Sequence, residues 1–311
     1  MEALNAFLDT IDGYVWGIPL IAVILFVGIL LTSRLGVLQV TNLANALRYM
    51  THSEKEGEGE VSSFAALCTA LAATVGTGNI VGVATAIGTG GPGALFWMEV
   101  AAFFGMATKY SEGLLAVKYR EVGPDGRVLG GPFHYIEKGL GRNWKWLAVL
   151  FAVFTALASF GIGCTVQANS IALLANETFG VPTWAVGVTV CLLTGVVILG
   201  GVKIIARVCT LLVPFMAVIY VVGCIVILVM NAQYVWPAVQ LIVRSAFNPS
   251  AAGGGFVGST VMMAARYGIA RGLFSNESGM GSAPIVAAAA QTRNPVRQAL
   301  VSSTGTFWDT V

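Results

Sequence analysis

Residues Ala73 to Gly93 read ATVGTGNIVGVATAIGTGGPG, a run of small, flexible and polar residues set inside apolar sequence. In hydrocarbon each unpaired backbone amide or carbonyl costs several kcal/mol, so a helix comes undone at membrane depth only where its freed groups face protein, water or a ligand. A second such stretch, Phe274-Ser-Asn-Glu-Ser-Gly-Met-Gly-Ser282, follows much later in the chain. Two interrupted helices in one apolar chain point to the binding site of a transporter.

Composition supports a membrane protein. Mean hydropathy is +0.80, and 56% of the 311 residues are hydrophobic while only 10% are charged, against roughly 25% charged in soluble domains. The formal net charge is +2, and no basic run suits a nucleic acid, which excludes DNA and RNA as expected partners. Cys68, Cys164, Cys191, Cys209 and Cys224 sit in apolar segments without C-x-x-C spacing, so they read as small buried or lipid-facing side chains. Glu2, Asp9 and Asp12 precede the first apolar run and no Lys or Arg does, which suits a retained span better than a signal peptide.

Apolar runs of about the 20 residues that cross a bilayer are read at 14–33, 62–88, 93–117, 146–174, 183–200, 206–230 and 255–290, with another starting near 299. With the N-terminus outside, the inside segments and their edges carry Arg34, Arg48 and Lys55, then Lys118, Arg120, Arg127, Lys138, Arg142 and Lys145, then Lys203 and Arg207, then Arg293 and Arg297. The outside segments carry Arg244. The excess of cations on one side assigns that side to the cytoplasm. From Ala299 to Val311 the chain is too short to span, so the sequence reads as a fragment of a longer polypeptide.

Gly76-Thr-Gly-Asn79 and Gly279-Met-Gly-Ser282 share a Gly-x-Gly-polar start followed by a helix of small residues. By the topology above they cross in opposite directions five spans apart, which is an inverted repeat whose broken helices meet at the midplane. The fold class expected is therefore an all-α integral membrane protein with a five-plus-five inverted repeat, broken first and sixth core helices and truncation in the second repeat. Its divisions are 1–61, an extra N-terminal helix and cytoplasmic loop; 62–232, the first repeat; and 233–311, the start of the second.

At the first break, amides of Thr77, Gly78 and Asn79 open a half-helix whose positive end favours a carboxylate. Carbonyls near Ala72, Thr74 and Val75 end the preceding half-helix and suit a hard cation such as Na⁺. An alternative is that Gly78 and Gly82 serve close helix packing. At the second break, Glu277 in a span is expected to be partnered or functional. It either forms a buried pair with Arg271, Arg266 or Lys109 or touches ligand or ion. Phe274 is placed to cap a small apolar side chain, or simply packs. In Ser159-Phe-Gly-Ile-Gly-Cys-Thr-Val-Gln-Ala-Asn169, Gln167 lies one turn after Gly163, and its amide is read as a ligand contact in preference to a helix bridge. Lys109, Tyr110 and Glu112 read as snorkelling side chains near the inner end of their span. Gly130-Gly-Pro-Phe-His-Tyr135 reads as a turn lying against the membrane. No phosphate loop is present, neither His52 nor His134 has metal-ligand spacing, and no nucleophile and base pair suggests an enzyme.

Ala-Leu-Ala-Ala-Thr-Val-Gly-Thr-Gly-Asn79, Gly-Gly-Pro-Gly-Ala-Leu-Phe-Trp-Met98, Gly-Met-Ala-Thr-Lys-Tyr110, Gly-Gly-Pro-Phe-His-Tyr135 and Arg-Gly-Leu-Phe-Ser-Asn-Glu277 together resemble the alanine or glycine:cation symporter family, in order and over essentially the whole chain. The resemblance implies Na⁺-coupled uptake of alanine or glycine by a leucine-transporter-type fold, with no cofactor and no obligate protein partner. It also implies a longer protein, whose eighth core span would supply further oxygens to a sodium site. Carried over position by position, amides at Thr77 and Gly78 would hold the substrate carboxylate. Carbonyls of Ala72 and Val75 would face one Na⁺, and Thr74 with Asn79 another. Gln167, Phe274, Ser275 and Asn276 would line the pocket, with Glu277 gating or pairing. A proton-coupled carrier, a channel and a non-transporting amino-acid sensor are the alternatives.

Overall fold

The computed structural model describes residues 2–15, 17–52, 54, 57–161, 163–247 and 261–311. Lys55 and positions 255–260 of the seventh apolar run lie outside the described residues. Helices α1 (Glu2–Val15) and α2 (Ile18–Arg34) are followed by short helices α3 (Leu38–Thr41) and α4 (Leu43–Thr51). The first broken span consists of α5 (Ser63–Thr74), a π-helical turn at Gly78–Gly82 and α6 (Val83–Gly90); its two halves meet at 52°. The long α7 (Gly93–Lys118) leads into a two-stranded hairpin, β1 (Glu121–Val122) antiparallel to β2 (Val128–Leu129), and then α8 (Pro132–Leu140). Next come α9 (Lys145–Ser159), α10 (Cys164–Phe179), α11 (Thr183–Leu199), α12 (Gly201–Met230) and α13 (Ala232–Phe247). The second broken span is α14 (Val261–Asn276) with α15 (Ser282–Ala288), and α16 (Pro295–Thr310) follows.

The chain is an all-α, multi-pass membrane protein. Asn5–Arg34, Arg142–Phe179 and Gly201–Met230 are each long and apolar enough to cross a bilayer, and the bent pair α5 with α6 makes a fourth candidate. Outer helices present large apolar side chains outward, as at Leu192, Leu211 and Val229, as a surface facing lipid does. The inner layer is different in kind. Helix α7 lies at the centre, packed along its length by α14 and α16, and its buried face is built from small residues such as Ala94, Ala101, Ala102, Gly105 and Ala107. Without a hydrophobic force between helices in lipid, small residues are what let backbones approach for van der Waals contact. At Gly268 a Cβ would stand 2.2 Å from the Ala94 carbonyl oxygen, so no other residue fits without moving the helices apart.

The structure revises several boundaries. Helix α1 precedes the first apolar run, and α13 occupies a stretch read as an outside connection, because both carry polar residues that mask them from a hydropathy reading. The 146–174 run holds two helices, one ending at Ser159 and the next starting at Cys164, with Gly161 and Gly163, which weaken helix propensity, between them. The last helix begins at Pro295, ahead of 299, because the Asn294 side chain caps it by accepting from the Val296 amide (2.9 Å). The 118–145 connection is ordered, and its Gly130-Gly131-Pro132 corner packs against Ala288 and Ile285 of α15 and its flank.

A strap closes one end of the bundle. Val61 and Ala290 form a parallel bridge, with Glu60 and Val61 amides donating to the Ala289 carbonyl and Gln291 donating to Val61 (2.7 Å). Arg120, just past α7, donates to the carbonyls of Ala288, Ala290, Glu58 and Thr292. Glu54 accepts from the Thr292 hydroxyl (2.6 Å) and the Arg293 amide, and pairs with Arg297 at 3.3 Å.

Candidate functional site

The first break is set by local chemistry. Ser62 caps α5 by accepting from the Ala65 amide (3.1 Å), and the helix stops where Val75 turns extended (φ −75°, ψ 108°). The Gly76 amide, which would have closed the next helical turn onto the Ala72 carbonyl, instead donates to the Asn79 side-chain oxygen (2.8 Å). Helix then resumes as a π-turn, a geometry that concentrates at functional sites. The packing alternative for Gly78 and Gly82 fails on distance. A Cβ at Gly82 would meet nothing within 4 Å, and one at Gly78 would reach only Ser275, at 3.7 Å.

The second break turns on positive φ at Glu277 (53°), Gly279 (88°) and Gly281 (82°). Glycine takes that conformation freely; Glu277 does not. Its carboxylate accepts from the Ser282 hydroxyl, bridging the break from within.

The two breaks meet. The Asn79 amide nitrogen donates to Ser275 Oγ (3.1 Å), to the Asp309 carbonyl (2.6 Å) and to Asp309 Oδ1 (3.1 Å). Ser275 Oγ donates to Asp309 Oδ2 (2.9 Å), as does Thr310 Oγ1 (2.8 Å). The Asn276 amide reaches Thr310 Oγ1 at 3.3 Å. The Asp309 carboxylate, the Ser275 and Thr310 hydroxyls and the Asp309 carbonyl gather oxygens of the kind hard cations take, while Asn79 and Asn276 turn their NH₂ groups toward them. On the other flank the Thr77 amide donates to Gln167 Oε1 (3.3 Å), and a small cavity of about 40 Å³ is lined by Ala73, Thr74, Thr77, Gly78, Gly163, Val166, Gln167, Phe274, Glu277 and Met280. Since roughly 10–15 Å³ of such space holds one water, this cavity takes only a few water-sized groups. A larger apolar cleft of about 710 Å³ ends on the opposite flank at Asn79, Ser275 and Asp309.

Among the residues singled out from sequence, Thr77, Gly78, Gln167, Phe274 and Glu277 thus share one small cavity, together with Thr74. Asn79 and Ser275 lie on the other side, with Asp309, and Val75 lines the large cleft beside them. Thr74 and Asn79 line different cavities among the described residues. Ala72 is an exposed residue in the last turn of α5. Sequence reasoning missed Asp309 and Thr310, although an acidic residue near the end of an apolar run was a usable signal. It also misread Lys109 and Glu112. They do not snorkel, since Lys109 is 3% and Glu112 8% exposed.

Comparison with known proteins agrees with this arrangement. The model of the sodium:alanine symporter family matches residues 1–311. The chain belongs to that family. Members of the sodium:alanine symporter family are transporters, not enzymes, and this chain is similar to several of them throughout its length. It is 51% identical over 307 residues to the sodium/alanine symporter AgcS of Methanococcus maripaludis, covering 97% of this chain and 67% of that one. It is 55% identical over 309 residues to an uncharacterized transporter of Haemophilus influenzae, covering 99% and 67%. It is 43% identical over 305 residues to YrbD of Bacillus subtilis, provisionally named a sodium/proton-dependent alanine carrier, covering 98% and 61%. The chain spans about two thirds of the length of these curated relatives.

Proposed function

We propose that this chain carries the binding core of a sodium-coupled symporter for a small neutral amino acid, alanine or glycine. The observation that carries the reading is the meeting of both helix breaks at Asn79, Ser275 and Asp309, with Thr77, Gly78 and Gln167 on the adjoining face. The names of AgcS and YrbD support sodium and alanine as cargo.

In this reading the amides of Thr77 and Gly78 receive the substrate carboxylate at the positive end of the resumed helix. Gln167 Oε1 holds the Thr77 amide until a carboxylate oxygen displaces it, then turns to the zwitterion. Phe274 bounds the side-chain end, which admits hydrogen or methyl. Rejecting one further methylene is worth only about 1–3 kcal/mol, so discrimination among small amino acids is shallow. Na⁺ is held by Asp309 and Ser275 with the carbonyls of Ala72 and Val75, Asn79 serves the ion by holding Asp309 and Ser275 in place through its NH₂ group, and Thr74 offers a hydroxyl on the other flank. Na⁺ binding orders the first break, the amino acid closes the gap between the breaks, and one bundle rocks against the rest. The architecture proposed is the five-plus-five inverted repeat, in a plasma membrane with the N-terminus outside and no obligate protein partner.

The test is uptake of labelled alanine by proteoliposomes holding the full-length protein, with and without an inward Na⁺ gradient. Saturable accumulation driven by the gradient is expected. Uptake that ignores Na⁺ and follows a pH gradient would instead establish the proton-coupled carrier, a reading favoured only by the name of YrbD. Binding without flux would identify a sensor.

A further inference from the structure

Lys109 and Glu112 stand one turn apart on α7, both ionisable, both buried, and neither belongs to the site assigned above. Residues at i and i+3 share a helix face, and this face looks at the second break. Lys109 Nζ donates to the carbonyl of Asn276, the last residue of α14, at 2.6 Å. Glu112 Oε2 accepts from the Gly279 amide at 3.3 Å and Oε1 accepts from the Gly281 amide at 3.1 Å. The cation therefore meets the carbonyl end of one half-helix and the anion meets the amide end of the next, in each case the sign that the helix dipole prefers. Backbone groups freed by a break need partners inside the membrane, and here one neighbouring helix provides them as a pair.

We infer that Lys109 and Glu112 are positioning residues that splint the second break, fixing Phe274, Ser275 and Asn276 in the geometry that binds substrate and ion. They act through backbone and touch neither cargo, and the inference rests on the symport reading for its effect on affinity. Three consequences are specific. Glu112→Gln keeps one acceptor oxygen but turns an NH₂ group toward the other amide, so the break loosens while side-chain volume is kept. Lys109→Arg keeps a cationic donor to the Asn276 carbonyl, whereas Lys109→Met removes it. Loss of either member removes what the other balances, so the effects on affinity of Lys109→Met and Glu112→Gln are not additive.

The experiment uses the full-length protein in nanodiscs and proteoliposomes, comparing E112Q, K109M, K109R and the double variant. Two readouts are taken, alanine half-saturation of Na⁺-driven uptake and hydrogen exchange of the peptide covering 274–284. The expected result is a rise in half-saturation of about tenfold for E112Q and K109M, with maximal rate and melting temperature near wild type, near-normal affinity for K109R, and faster exchange at the break in E112Q. Unchanged half-saturation and unchanged exchange in folded E112Q would overturn the proposal. Should E112Q fail to fold, equal behaviour of K109R and K109M overturns it and restoration by arginine upholds it. If wild type takes up no alanine, the symport reading falls alone, because the exchange readout still decides whether the splint exists.

Discussion

The Asn79 amide uses its oxygen on the Gly76 N–H and shares its two hydrogens between Ser275 and Asp309. This leaves no freedom in how the group is oriented. The same side chain ends one helical turn, starts the next and ties both to α14 and α16, which is why a polar residue stands in this apolar run. Asp309 carries the only full charge in this group of four side chains, Asn79, Ser275, Asp309 and Thr310. Asp309→Asn keeps the shape and removes the charge, so Na⁺ half-saturation of uptake should rise about tenfold or more with little change in folding, as a Na⁺ titration of transport would read. Gly78 offers a second test. A Cβ there makes only ordinary contact with Ser275, so Gly78→Ala should leave a folded and partly active protein. Gly78→Leu fills a cavity of about 40 Å³ and should abolish uptake at normal expression. Sequence alone picked out Asn79, Gly78 and Gln167 because polar residues beside glycines are costly in hydrocarbon and need a reason. Asp309 escaped because its significance lies in a contact across 230 positions of chain.

Between α7 and α14 the decisive contacts are between backbones. Gly268 lies against Ala94, and Gly272 against Met98, where a Cβ would stand 3.3 Å from the carbonyl oxygen. Gly268→Ala should therefore separate the helices and destabilise the protein by about 1–3 kcal/mol, lowering the melting temperature. Gly82→Ala, with nothing within 4 Å of the added methyl, should not. The first, fourth and sixth apolar runs and the bent α5–α6 pair were legible because length and hydropathy suffice for an apolar helix. Their exact neighbours were not, since in lipid a small residue marks close contact without naming the partner. Nor was the parting of α9 from α10, because hydropathy stays high straight through a break of this kind.

Across the whole molecule, the distribution of cations groups Arg120, Arg293 and Arg297 together but gives no sign that they engage one another or Glu54. Burial by itself would raise the Glu54 carboxyl. The Thr292 hydroxyl and Arg293 amide, with Arg297 and Arg293 nearby, outweigh it and hold the group below the usual carboxylate range. The folded value lies below that of the unfolded chain, so its contribution to stability is present above the ordinary range, roughly pH 4 to 4.5, and fades as pH falls through the folded value. Glu54→Gln should lower the melting temperature of the full-length protein at neutral pH, and that difference should shrink toward zero in acid. A difference independent of pH would assign the effect to packing.

The 52° bend has a mechanical meaning as well as a chemical one. Helix α5 has 12 residues, and the π-turn with α6 has 5 and 8, so each arm runs roughly 18–20 Å from the bend at 1.5 Å per residue. The bend is then a fulcrum near the middle of a balanced lever. Tilting one arm about it sweeps the distant tip through several times the displacement felt at the pivot. Under the symport reading proposed above, such a tilt opens a passage at one face of the membrane while the groups beside Asn79 hardly shift.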